Sequence, residues 1–332
     1  MNKRKLFEGA QSAPMGLGCW AIGGPFTYYD GTPVGWGEVD DKESIRAIHA
    51  GIEAGINYFD TAQVYGTGHS EEKLGEALQN HPGVLISSKV GRSMDRQKRQ
   101  MIADTSDPKT IAQSLEQSMK RLKRSHIDMI YLHVGDFSVA QAQDVFQCLE
   151  DMRSAGKIRA FGWSTDLADR AESFRDWKGF QSVQLAMNVF EPAADVLAAT
   201  ERSGRSAVIR SPLAMGMLSG KFTASQQLDA ADVRAQNLAW LKWFENGRVA
   251  PRYARQLSEI RELLTADGRT LVQGALGWIW AKSPATIPIP GFRTEQQVRE
   301  LAGAMRYGPL DQAIVAEIDA RLASGQPLAA TG

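Results

Sequence analysis

The stretch Ile56–Leu78 reads INYFDTAQVYGTGHSEEKLGEAL. It begins as a short β-rich apolar run, Ile56–Phe59, then delivers Asp60, Thr61 and, five residues past the acid, Tyr65. Gly66, Thr67 and Gly68 turn the chain. Ser70 with Glu71, Glu72 and Lys73 opens a helix whose apolar positions are Leu74, Ala77 and Leu78. A strand ending in an acid and a tyrosine, then glycines, then a helix start, is how a parallel α/β protein sets reactive groups at the carboxyl edge of its sheet.

The same unit recurs outward from this stretch. Upstream, Asp41 reads as a helix cap before Ile45, Ile48 and Ile52, with Gly55 as the stop. Downstream, Val84–Ser87 is a buried strand delivering Ser88 and Lys89, and a polar segment, Gly91–Asp107, follows. Asp107-Pro108 starts a helix with the apolar stripe Ile111, Leu115, Met119 and Leu122. Ile127–Leu132 is the next strand and delivers His133. Further strands are expected at Ile158–Trp163, Ser182–Ala186, Ala207–Ile209 and Ala285–Ile289, each followed by helical periodicity. A long excursion, Phe222–Ala250, interrupts the rhythm after the seventh strand, and a last helix is expected over Leu310–Leu322. Seven strand–helix units from Ile56, plus an early strand at or just before Met15–Cys19, make eight. The expected fold is therefore a single α/β domain spanning 1–332, a (β/α)8 TIM barrel of parallel strands with outer helices. No GxGxxG follows the first strand, which counts against an open dinucleotide-binding sheet.

The 332 residues carry 38 basic and 38 acidic side chains, so no nucleic-acid footprint or basic membrane face stands out. Cys19 and Cys148 sit in apolar contexts and read as core residues, which suits a reducing, cytoplasmic setting. The N-terminus has charge but no apolar signal core.

Three strand ends deliver Asp60, Lys89 and His133, with Tyr65 just past the first. In a barrel such ends converge on one face. A tyrosine hydroxyl has an ordinary pKa of about 10. An adjacent ammonium favours the phenolate, and a carboxylate holds the ammonium in place. A histidine beside the phenol can donate to a carbonyl oxygen. Together the four can exchange a proton with an oxygen.

These motifs resemble the aldo-keto reductases. Besides FDTAQVYGTGHSEEKLGEAL, the resemblance rests on SSKVG, SLEQSMKRLKRSHIDMIYLH, SPLAMGMLSGK and IPIPGFRTEQQVREL, and covers about Met15 to Met305. It is nearest the bacterial oxidoreductase and channel β-subunit-like branches. It implies a catalytic tetrad of Asp60, Tyr65, Lys89 and His133, with Tyr65 as general acid. It implies hydride transfer from NADP(H) to an aldehyde or ketone and no metal.

By the same resemblance, Ser164, Thr165, Gln184 and Asn188 lie near the nicotinamide. Thr165 stands where an asparagine is usual, its hydroxyl still a donor. Arg210 replaces a common aromatic and could stack as a planar guanidinium or form a strand-end ion pair. Ser211, Leu213, Gly216 and Lys221 would line the pyrophosphate. Gly291, Phe292, Arg293, Gln297 and Glu300 match the adenosine end, Arg293 pairing with a 2′-phosphate, while Leu301 replaces an asparagine.

The excursion, which carries Trp240, Trp243 and Phe244, would form part of a substrate wall or a lid, or else a helix packed on the barrel side with Leu238, Leu241 and Trp243 buried. Trp20, Phe26, Tyr28, Tyr29 and Trp36 would line the opposite wall. The partner is then a small carbonyl or alcohol, with the protein a monomer or homo-oligomer. A redox-sensing regulatory barrel with the same tetrad is the alternative. A glycosidase would need two free carboxylates, and the seventh strand ends in Arg210 rather than an acid.

Overall fold

The computed structural model describes residues 1–222 and 226–324, so Thr223–Ser225 of the excursion lie outside the described residues. Eight parallel strands form the barrel: Leu17–Gly18, Tyr58–Asp60, Leu85–Val90, Ile127–Leu132, Ile158–Ser164, Phe180–Ala186, Ser206–Arg210 and Thr286–Pro288. The first strand rejoins the eighth through hydrogen bonds from Gly16 N to Pro288 O, 3.0 Å, and from Gly18 N to Pro290 O, 2.9 Å. The fold is the expected TIM barrel, with outer helices between the strands.

Side chains alternate across each strand. Phe59, Ile86, Ile130, Phe161, Val183 and Ile209 face the helices and join the main core. Tyr58, Leu85, Met129, Tyr131, Ala160, Val208 and Ile287 form a second cluster that fills the barrel. Two steps along from this inner set stand Asp60, Lys89 (by way of Ser87), His133, Ser164 (by way of Gly162) and Arg210. The strand period therefore brings those side chains to the same end of the barrel.

The structure departs from the sequence expectations in several places. Residues Arg4–Phe7 and Ala10–Ser12 pair as an antiparallel hairpin. Its Leu6 and Phe7 plug the barrel end opposite the site, joining the inner cluster. The polar segment after Gly91 is a second hairpin, Arg92–Asp95 with Gln100–Asp104. Its far strand bonds the first loop, Met101 N to Thr27 O at 2.8 Å. The helix before Gly55, Asp41–Glu53, is capped by Asp40 rather than Asp41: the Asp40 carboxylate accepts from Lys42 N and Glu43 N, and Asp41 is the first helical residue. The helix after Tyr65 starts at His69.

The excursion forms no α-helix among its described residues. It carries a short 3-10 turn, Val233–Ala235, and two paired two-residue strands, Phe244–Glu245 and Arg248–Val249. Leu241, Trp243 and Phe244 are nonetheless buried. The last helix, Gln312–Ser324, packs on Pro251–Leu264 and Leu271–Lys282. Among the described residues no helix is long and apolar enough to cross a membrane.

Candidate active site

Asp60 and Lys89 stand at the ends of adjacent strands, 3% and 1% exposed. Lys89 Nζ donates to Asp60 Oδ2 at 2.6 Å, to Thr61 O at 2.8 Å and to Tyr65 Oη at 3.2 Å. An ammonium has three donors, so this set uses all of them. Asp60 Oδ1 in turn accepts from Ser87 Oγ at 2.7 Å and Gln184 Nε2 at 2.9 Å. Burial lowers the Lys89 pKa, but the Asp60 carboxylate and Tyr65 outweigh it, and the net shift is upward. Lys89 is therefore charged over the whole working range.

Tyr65 is fixed by the loop that carries it. Gly66 has φ 60°, and a Cβ there would stand 1.8 Å from Gly23 O, so only glycine allows this close crossing of the two loops. The Tyr65 ring stacks on Trp20 at 5.8 Å and meets His133 edge-on at 5.9 Å. Its pKa is raised: burial and Asp60 exceed the downward pull of Lys89. The ammonium does pull the phenol down, as the sequence expectation held, but burial outweighs that pull and the net shift is upward. His133 is pushed well below its ordinary value by burial, then by Arg92, Lys89 and Arg210. Its imidazole is neutral, and its Nδ1 is buried without a hydrogen-bond partner.

These groups open into a cavity of about 820 Å³. Trp20, Trp36 and Trp240 form one aromatic wall, Trp20 meeting Trp36 at 5.6 Å and Trp240 at 6.0 Å. The excursion thus contributes wall residues, as one of the two sequence readings held. Phe26 and Tyr28 also line the cavity, whereas Tyr29 is exposed and away from it.

The residues expected at the cofactor divide. Ser164, Thr165, Gln184, Arg210, Ser211, Leu213, Gly216, Lys221, Gly291, Phe292, Arg293, Gln297 and Glu300 all line the cavity. Asn188 does not. It is buried in the turn after its strand, receiving Phe190 N on its Oδ1 and donating to Ser211 O at 3.3 Å. The Thr165 hydroxyl donates to Gly135 O at 2.7 Å and accepts from Leu167 N, so it is occupied by the loop itself. Arg210 forms the strand-end ion pair, with Asp166. Gln184 bridges Asp60 and Ser164, whose Oγ donates to Gln184 Oε1 at 3.2 Å. Phe292 is buried in the core cluster. Gln297 Oε1 caps its own helix by accepting from Arg293 N and Thr294 N. Arg293 donates to Trp36 O at 3.0 Å and to Glu38 O.

Ser211, Ala214, Met215 and Gly216 all have positive φ, which makes a concave turn of backbone suited to an anion. Arg234, which sequence reasoning passed over, holds this turn. It donates to Met215 O at 3.2 Å, pairs with Asp232 at 2.6 Å and lies over Trp36 at 4.6 Å. Arg92 was missed too, since its hairpin read as polar loop. Its position two past Val90 in SSKVGR, at the mouth end of a strand, was the available signal. Among the described residues no group of three His, Cys, Asp or Glu is placed to hold a metal ion.

The Aldo/keto reductase family profile matches residues 14–323. The chain is 28% identical over 303 residues to the aldo-keto reductase YhdN of Bacillus subtilis, covering 89% of this chain and 85% of that protein. It is 28% identical over 312 residues to the NADH-specific methylglyoxal reductase of Escherichia coli, covering 90% and 91%. The structure of the glycerol dehydrogenase AKR11B4 from Gluconobacter oxydans superposes with a TM-score of 0.82 at 27% identity, covering 99% of this chain and 98% of that one. The chain belongs to the aldo/keto reductase family. It is an oxidoreductase of the class that acts on carbonyls.

Proposed function

We propose that this protein reduces an aldehyde or ketone to an alcohol with NADPH, with Tyr65 as the proton donor and residues 1–332 acting as one barrel domain. The observation that carries the reading is the chain from Asp60 through Lys89 to Tyr65, ending at 3.2 Å on the phenol oxygen inside the cavity. As hydride reaches the carbonyl carbon, its oxygen gains negative charge and takes the Tyr65 proton. Lys89 then stabilises the phenolate left behind, its charge held in place by Asp60 and Thr61. The neutral His133 orients the carbonyl oxygen by a hydrogen bond and is no competing acid.

The nicotinamide cofactor supplies the hydride when bound. The left-handed turn at Ser211–Gly216 and Lys221 suit its pyrophosphate, and Ser164 with Gln184 suits its carboxamide. Arg210 sits beside them as a rim cation braced by Asp166. Gly291, Glu300 and Arg293 remain for the adenosine end, with Arg293 the cation for a 2′-phosphate. Its bonds to Trp36 and Glu38 carbonyls also give it a role in bracing the first loop, so Arg293→Ala should weaken both cofactors. The expected outcome is a loss several times greater for NADPH than for NADH. Equal losses would remove Arg293 from 2′-phosphate recognition. That comparison matters because the E. coli relative is described as NADH-specific.

The direct test follows absorbance of NADPH and NADH at 340 nm with a panel of aryl and alkyl aldehydes. Steady multiple turnover is expected. Cofactor binding without turnover on any aldehyde would favour a regulatory barrel instead.

A further inference from the structure

Among the arginines lining the cavity, Arg92 is the one whose side chain makes no hydrogen bond among the described residues. Lys89 rests on Asp60 at 2.6 Å, Arg234 on Asp232 at 2.6 Å, Lys242 on Glu191 at 3.0 Å and Arg210 on Asp166. Arg293 is bonded to two carbonyls, and Lys221 stands exposed at the phosphate turn. Arg92 has only an ion pair with Asp104, 3.5 Å at Nε, and that acid is 44% exposed. The guanidinium makes no hydrogen bond among the described residues, its buried Nε having only that longer contact with Asp104. Asp136, which also lines the cavity, forms no ion pair with it. Yet the Arg92 side chain is only 24% exposed. Three-quarters-buried guanidinium groups ordinarily spend their donors on carboxylates or carbonyls.

Its place is equally specific. His133 N donates to Val90 O at 2.8 Å, two residues before Arg92. Gln63 Nε2 donates to the Arg92 carbonyl at 2.6 Å, tying it to the loop between Asp60 and Tyr65. Arg92 thus sits where the segments carrying His133 and Tyr65 meet, at the substrate end and not at the phosphate turn. Its charge reaches the imidazole, since it is the first charged group depressing His133.

We propose that Arg92 binds a carboxylate carried by the substrate, so that the preferred substrates are aldehydes or ketones bearing one carboxylate group away from the reacting carbonyl. The inference rests on the reductase reading above and names the substrate class for that site. Held only by the long contact with a half-exposed Asp104, the guanidinium keeps donors for one carboxylate, which its planar fork matches in bidentate geometry. The Trp20, Trp36 and Trp240 wall takes the apolar body between the two polar ends.

The test compares kcat/KM for 2-, 3- and 4-carboxybenzaldehyde and 4-oxobutanoate with that for the methyl ester of each, in the wild type, Arg92→Leu and Arg92→Lys. A charge-assisted pair predicts an acid-to-ester ratio of about tenfold or more for at least one pair in the wild type. The ratio should fall to near one in Arg92→Leu, mainly through KM, and be partly kept in Arg92→Lys. Because each ratio is internal to one protein, a general loss of activity does not alter it. Esters equal to or better than every acid in the wild type would overturn the proposal alone. So would a ratio that survives Arg92→Leu. No turnover of any acid or ester would overturn the reductase reading and the proposal with it.

Discussion

The end of the cavity at Asp60, Lys89 and His133 is built from strand ends, and the end at Ser211–Lys221 from loops. Asp60, Lys89 and His133 inherit their positions from a sheet whose hydrogen bonds fix every strand against its neighbours. All three Lys89 donors are engaged, and Asp60 accepts from Ser87 and Gln184 as well. Ser211–Lys221 and the excursion have no such frame. They are shaped by left-handed residues and by one side chain, Arg234, which joins the turn at Met215 to Trp36 and, by its guanidinium face, to Phe222 and Phe244. On the function proposed above, the contrast teaches that the chemistry is preorganised by the fold, whereas the grip on the cofactor depends on loop contacts that single substitutions can loosen.

If that division is right, substitutions at the two ends should separate turnover from binding. Tyr65→Phe keeps the ring packed on Trp20 and removes only the proton donor. It should cost about 10²- to 10⁴-fold in kcat/KM, read from NADPH oxidation, with cofactor affinity nearly unchanged. Equal losses in both would make Tyr65 a packing residue. Arg234→Ala should act the opposite way, raising the NADPH Kd about tenfold through loss of one hydrogen bond and the stacked cation. Fluorescence quenching reads that Kd. A large fall in single-turnover rate at saturating cofactor would break the comparison.

The smallest effects concern pH. Because Tyr65 is raised above its ordinary value of about 10, the protonated donor persists, and kcat/KM for reduction should stay level through neutral pH and fall only in strong alkali. His133 is held well below about 6.5, so no step should appear there in the rate profile. Stability behaves differently. Below about pH 6.5 the unfolded chain binds a proton that folded His133 refuses, so this residue favours folding above that pH and loses its contribution as pH falls. Urea denaturation between pH 5 and 8 should show that loss in the wild type and less of it in His133→Gln. An identical slope in both would assign the acid sensitivity elsewhere.

The same contrast explains what the sequence made legible. Strand parity and the acid–tyrosine spacing of residues 56–78 bring the tetrad residues to one place, because local alternation and barrel closure suffice to do so. Contacts between distant loops leave no such pattern. Nothing in DVR at 232–234 announces that Arg234 braces Met215, and Gln297 reads the same whether it caps a helix or meets a ligand. Arg92 hid in a hairpin whose polar strands have no core-facing alternation, since its partner surface is the first loop. The N-terminal plug was masked because Leu6 and Phe7 are only two apolar residues among charges.

The most direct test follows the label from NADPH carrying deuterium at C4 in a single turnover with an aldehyde, in the wild type and in Tyr65→Phe. Deuterium on the carbinol carbon in the wild type, with the same transfer slowed by orders of magnitude in the variant at equal cofactor occupancy, is the expected result. Deuterium lost to water, or a variant that transfers it as fast as the wild type, would contradict Tyr65 as the proton donor for hydride transfer in this barrel.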